Sequence, residues 1–161
     1  MRSPADVLQT TSDVFIALLR ARPGFELPKR KVILTGDFPY DTEEFAVWTG
    51  IGMYPGFPGQ PITPYQSVTG GFVALSMAVN VSLLRNVPLV DNTGRLPSGD
   101  VLNKSSLAIA EDGRALGESF YEAYNANTIA PFQDNLALSG VSFFGPQGGI
   151  VETRLTFSIQ L

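Results

Sequence analysis

The chain has 161 residues, enough for one ordinary hydrophobic core and too few for two independent domains, so a single domain over 1–161 is expected. Hydrophobic residues make up 44% and charged residues only 16%, a folded composition whose lightly charged surface implies cover by partners. A net charge of −4 argues against a dedicated DNA-binding surface, and the lack of histidine and cysteine removes the commonest general base, the thiol nucleophile, the usual zinc ligands and any disulfide. No apolar run reaches bilayer length and the N-terminus lacks the pattern of a secretory signal, so a chain made in the cytosol without a membrane, metal or cofactor is expected.

In chain order, Ser3-Pro4-Ala5-Asp6 reads as a helix start, with a capping hydroxyl, a first-turn proline and an acid near the positive end of the helix dipole. Val7, Leu8, Thr11, Val14, Phe15, Leu18 and Leu19 keep one stripe at three-four spacing until Pro23-Gly24 ends the pattern. Lys29, Arg30 and Lys31 lead into a short strand from Val32 to Thr35, and three charges read better as a solvated strand entrance than as an anion site. Asp37, Asp41, Glu43 and Glu44 crowd the next turn but lack the alternating spacing that wraps a chain around calcium. A second strand is expected from Phe45 to Tyr54, with Trp48 packed in a core. Gly50, Gly52 and Gly56 have the wrong spacing for a phosphate loop.

Pro55, Pro58, Pro61 and Pro64 recur every third residue, which lines them along one edge in a polyproline II conformation. Residues 54–71 are therefore expected to form a stiff arm whose Tyr54, Phe57, Ile62 and Tyr65 lose little entropy when a partner covers them. The longest strand is expected from Phe72 to Arg85, with odd residues from Val73 to Leu83 on the core face and Ala74, Ser76, Ala78, Asn80 and Ser82 outside, small enough for another layer to approach. A loop with Asp91-Asn92-Thr93-Gly94 precedes a long helix capped by Ser98 or Asp100. Leu102, Ser106, Ile109, Gly113, Leu116, Phe120 and Tyr124 share one helix face, and Glu111, Asp112, Arg114, Glu118 and Glu122 read as the solvated side. Leu136 to Phe144 and a final strand form a hairpin about Gly145-Pro146-Gln147-Gly148-Gly149, with a bulge at Gly140. The final strand alternates without a break, Val151 to Leu161 in odd steps on the core face.

These elements predict an α+β two-layer sandwich: a mainly antiparallel sheet of four or five strands with both helices packed on one face. The ordered segments Phe45-Ala46-Val47-Trp48, Met53-Tyr54-Pro55-Gly56-Phe57-Pro58-Gly59, Leu84-Arg85-Asn86-Val87-Pro88, Leu96-Pro97-Ser98 and Gly145-Pro146-Gln147-Gly148-Gly149 span roughly Asp41 to Leu161. In that order and spacing the chain resembles the tail terminator proteins of long-tailed (siphovirus-type) bacteriophages, especially those of actinobacteriophages.

The resemblance implies a structural virion protein without catalysis, assembled in the host cytoplasm and resident in the tail-neck region. It implies a homo-hexameric ring at the head-proximal end of the tail tube that stops polymerisation of the tail tube protein. The same ring would dock the head-to-tail connector or head completion protein, with genomic DNA passing through the lumen without specific binding. On this reading Tyr54, Phe57, Pro58, Ile62, Tyr65, Arg85, Asn92 and Arg95 are the candidate subunit or partner contacts. Another neck protein would share these traits. Two other classes stay open: a carboxylate-dependent hydrolase using Asp37, Asp41 or Glu44 in a cleft that separates their pKa values, and a small ligand-binding module using Trp48 and the proline-rich loop.

Overall fold

The fold comes from a computed structural model that describes residues 2–36, 41–50, 52–60, 74–90, 93–126 and 136–161. The first helix, α1 (Pro4–Arg20), starts after an extended Ser3 with Pro4 in its first turn. Val7, Leu8, Phe15 and Leu19 are buried on the expected stripe, and Thr11 joins them because its hydroxyl donates to the Val7 carbonyl at 2.7 Å. Three strands follow, β1 (Arg30–Thr35), β2 (Glu44–Thr49) and β3 (Met53–Pro55), and then the long β4 (Leu75–Asn86). The second helix, α2 (Gly99–Asn125), is capped by the Ser98 hydroxyl, which accepts from the Val101 amide at 3.3 Å. The chain closes with β5 (Leu136–Gln147) and β6 (Ile150–Gln160).

Six strands form one sheet in the order β1-β2-β4-β6-β5, with β3 beside β4 off this path. The expected strand from Phe45 to Tyr54 is two strands, since the chain breaks after Thr49 and returns at Met53, and both pieces pair with β4. That break raises the strand count above four or five. The β1–β2 pair is parallel and every other pair antiparallel, so the sheet is mixed. In the terminal hairpin, Gln147 faces Ile150 across Gly148 and Gly149, whose φ values of 56° and 80° suit the two-residue turn that matches strand twist. The pairing shifts register between Leu138 and Gly140, the bulge read from the alternation.

Both helices cover the same face. Met77, Val79, Val81 and Leu83 of β4 and Leu155, Phe157 and Ile159 of β6 are fully buried, packed with Phe15, Leu19, Leu116 and Phe120 in one core. Each such side chain contributes about 1.5–3 kcal/mol on burial, so unbroken odd parity on two adjacent strands is what pins the register. Helix α1 lies over β1, β2 and β4, while α2 lies over β4, β5 and β6.

The α2 stripe is covered only in its middle. Gly113, Leu116 and Phe120 are buried, whereas Leu102 and Ser106 are exposed because residues 99–111 run past the core for about 20 Å at the helical rise, and Tyr124 is exposed at the other end of the helix. Asp112 is buried rather than solvated, held by Arg85. The outer face of β4 is also not open, since Ser76, Asn80 and Ser82 are already covered within the chain.

Candidate functional site

The sheet face away from the helices is organised by one row of paired residues: Arg30, Glu44, Leu84, Glu152 and Phe144 lie opposite one another across five strands. Trp48 is buried on this face with Ala46, Leu84 and Ile150, a second small cluster separate from the helix-side core. Its indole Nε1 donates to Ser82 Oγ at 2.9 Å, and Ser82 donates to Glu152 Oε1 at 2.6 Å. Arg154 donates from Nε and Nη2 to the two Glu152 oxygens at 2.7 and 2.6 Å. The Arg154 guanidinium also sits 4.7 Å from the Trp48 ring and 4.1 Å from the Phe144 ring. A buried carboxylate is tolerated here because charge, hydrogen bonds and two aromatic faces compensate it together. Trp48 is thus packing, as its residue type suggested, although on the sheet face away from the helices.

The acidic turn is partly consumed by structure. Glu44 is 2% exposed, and Arg30 Nε approaches its Oε2 at 3.0 Å without hydrogen-bond alignment. Burial pushes its carboxyl above the ordinary range, Arg30 offsets part of that, and Asp41 adds a further push upward. Glu43 accepts from the Asn86 amide at 3.0 Å, Asp41 is exposed, and Asp37 lies outside the described residues. Among the described residues no three acids stand close enough to hold a metal ion.

The proposed contact residues are scattered. Tyr54 is buried in β3, while Phe57 is 55% exposed and Pro58 half-buried. The Gly59 amide donates to Ser158 Oγ at 2.9 Å and Ser76 donates to the Gly56 carbonyl at 2.7 Å, so the start of the proline-rich stretch is fastened over the sheet's outer face. Ile62, Tyr65 and Asn92 lie outside the described residues. Arg85 is occupied inside the chain: it grips both Asp112 oxygens at 2.9 and 3.0 Å, donates to the Glu26 carbonyl at 2.6 Å and lies over Phe25. Arg95 is exposed in the loop before α2.

A more continuous surface lies where none of those residues do, on the flank formed by β5 and one side of α2. Strand β5 is the sheet edge and contains no charged residue in its 12 positions. Phe143 lies over the bare backbone of Gly113, where a Cβ would come within 2.9 Å of its ring, yet the ring stays 54% exposed. One helical side on from Gly113 are Gly117 and Tyr124, with Tyr121 on the shoulder, 58% exposed, and Leu138 of β5 is exposed too. The opposite side of α2 carries charge and faces α1: Arg22 binds Glu118 and Glu122, and Arg114 binds Glu111 and Glu118. Those partners, Arg22 first, hold the Glu118 carboxyl below the usual range.

The sequence signal for this flank is the charge-free run from Leu136 to Gln147, which alternation alone does not single out. A regular stripe places Tyr124 in the core, and only the position of the sheet shows where the cover ends. Compared with models of protein families the chain matches none, and no curated protein matches it. No helix among the described residues is long and apolar enough to cross a membrane.

Proposed function

We propose that this chain is the subunit of a homo-hexameric ring at the head-proximal end of a long-tailed phage tail, where it ends tube growth and offers a docking surface to the head connector. The observation that carries the reading is the flank of β5 and α2, where Phe143, Tyr121, Tyr124 and Leu138 are exposed beside a strand that has no charged residue and, among the described residues, ends the sheet. A long, charge-free edge strand is an association site unless something covers it, and a domain that stays single ordinarily protects such an edge with charged side chains or a covering element. The segment order described above supplies the assembly to which that association belongs.

The mechanism is one of binding alone. One face of the ring must accept the last tube ring and the other must reject a further one, a discrimination made by contacts that the tube subunit lacks. A net charge of −4 is suited to a conduit through which a polyanion slides. Loss of the protein is expected to leave filled heads and separate tails whose tubes are irregular or over-long in negative-stain images. Normal, head-attached tails in its absence would overturn the assignment.

A further inference from the structure

A closed ring of identical subunits needs two different surfaces on each chain, one on either flank, that fit each other. Resting on the ring reading above, we infer that the second surface is a groove on the β1 flank and that it receives the α2–β5 flank of the next copy. The groove, about 790 Å³, lies between the first turns of α1 and the ends of β1, β2 and β3. Leu8 and Met77 line its floor, Pro4, Ala5, Ile33 and Met53 its walls, and none of the described residues lining it is charged. Its volume falls within the roughly 300–1,000 Å³ of pockets that accept a drug-sized group. Met53 is 54% exposed at its rim.

Three observations select a second copy as the occupant. Among the described residues neither the groove lining nor β5 carries a charge, so joining them strips no carboxylate or ammonium group of water there, and an apolar groove matches aromatic side chains better than it matches a charged peptide. They lie on opposite flanks, because β1 and β5 are the two ends of the sheet order and α1 and α2 stand above those respective halves. They also lie at the same height. Leu34, Trp48, Asn80, Thr156 and Gly140 form one row across the sheet, and just beyond it, in the same direction, are Thr35 and Thr49 at the groove and Phe157 and Leu138 at the other flank. Phe120, 5.5 Å from Phe157, stacks with Tyr124 and meets Tyr121 edge-on, which brings both tyrosines to that level. Contacts at one register level on opposite flanks join copies side by side, and such a row of copies closes into a ring where the rotation between neighbours completes a turn without a rise.

The test uses two variants of the full chain. Met53→Glu places a charge at the groove rim, and Tyr121→Glu/Tyr124→Glu places charges on the aromatic flank; each is first checked for the wild-type far-ultraviolet spectrum, with Tyr121→Glu alone replacing the pair if the pair unfolds. By native mass spectrometry the wild type, alone or on purified tail tubes, is expected as a ring, and each variant as single subunits. An equimolar mixture of the two variants retains one intact groove and one intact flank between unlike chains, so it is expected to give mixed dimers that grow no further. Rings that survive both substitutions would overturn this pairing while leaving the ring reading in place. A mixture that stays monomeric would overturn it as well, since the two lesions would then lie on one surface and not on the two opposed surfaces of the contact. A wild type that stays single in solution and on tubes overturns both readings, and uptake of the apolar dye anilinonaphthalene sulfonate into the groove of that single subunit would reassign the groove to a small molecule.

Discussion

Arg154 shows how one side chain organises a surface. It neutralises the fully buried Glu152 and fills the space between Trp48 and Phe144. Arg154→Ala is therefore expected to cost about 3–5 kcal/mol in urea unfolding, the usual penalty for leaving one charge of a buried pair alone. Adding Glu152→Gln should recover part of that loss; no recovery would mean that Arg154 acts through packing instead. Glu44 gives the opposite sign. Its raised pKa means that the fold disfavours the ionised carboxylate, a cost felt in full above that raised value, relieved as pH falls through it, and absent below the ordinary value of 4.5. Glu44→Gln should raise the urea midpoint over wild type near neutral pH, with the difference shrinking as pH falls toward 4.5 and gone below it; a gain that is equally large in acid would show that charge is not its source.

At the scale of the element, α2 is two helices in one. Its middle is core and its first turns are surface, so Leu116→Ala is expected to cost about 2–5 kcal/mol while Leu107→Ser, at a position 68% exposed, stays within about 0.5 kcal/mol. Equal losses at the two sites would mean that the projecting turns are packed. Two glycines should part in the same way. Gly117 sits inside the helix with nothing within 4 Å of the place a methyl group would take, so Gly117→Ala should stabilise by about 0.5–1 kcal/mol through helix propensity. Gly145 has φ of 110° and a Cβ there would fall 2.7 Å from the Ile150 carbonyl oxygen, so Gly145→Ala should destabilise by about 1–3 kcal/mol. Thermal melts of the two variants, run beside wild type, read both signs.

For the molecule as a whole, the distribution of charge matters more than its total. Ion pairs join α2 to the turn that follows α1 and tie β4 to α2, inside the subunit, while among the described residues the β5 strand and the groove by β1 carry no charge. Assembly through such surfaces should be nearly indifferent to salt, because screening acts on charges and not on apolar burial. Size-exclusion profiles from about 0.1 to 1 M sodium chloride, spanning Debye lengths of about 10 to 3 Å, should keep the proposed ring at one position. Dissolution by salt would place the contact on the charged sides of the helices instead.

Much of this architecture could be read along the chain. The stripe of α1, the unbroken odd parity of β4 and β6, the bulge at Gly140 and a turn within Gly145 to Gly149 are local patterns, although the strand runs on to Gln147 and leaves only Gly148 and Gly149 in the turn. The charge-free run of β5 was equally legible as composition. Tertiary structure alone decided that β2 and β3 are separate strands, that β1 runs parallel to β2, and that Arg85 is engaged by Asp112 and Arg154 by Glu152. It alone decided where the cover over α2 stops. The physical reason is the same in each case: periodicity tells a residue which way to face, but only the partners that fold against it determine whether anything is there.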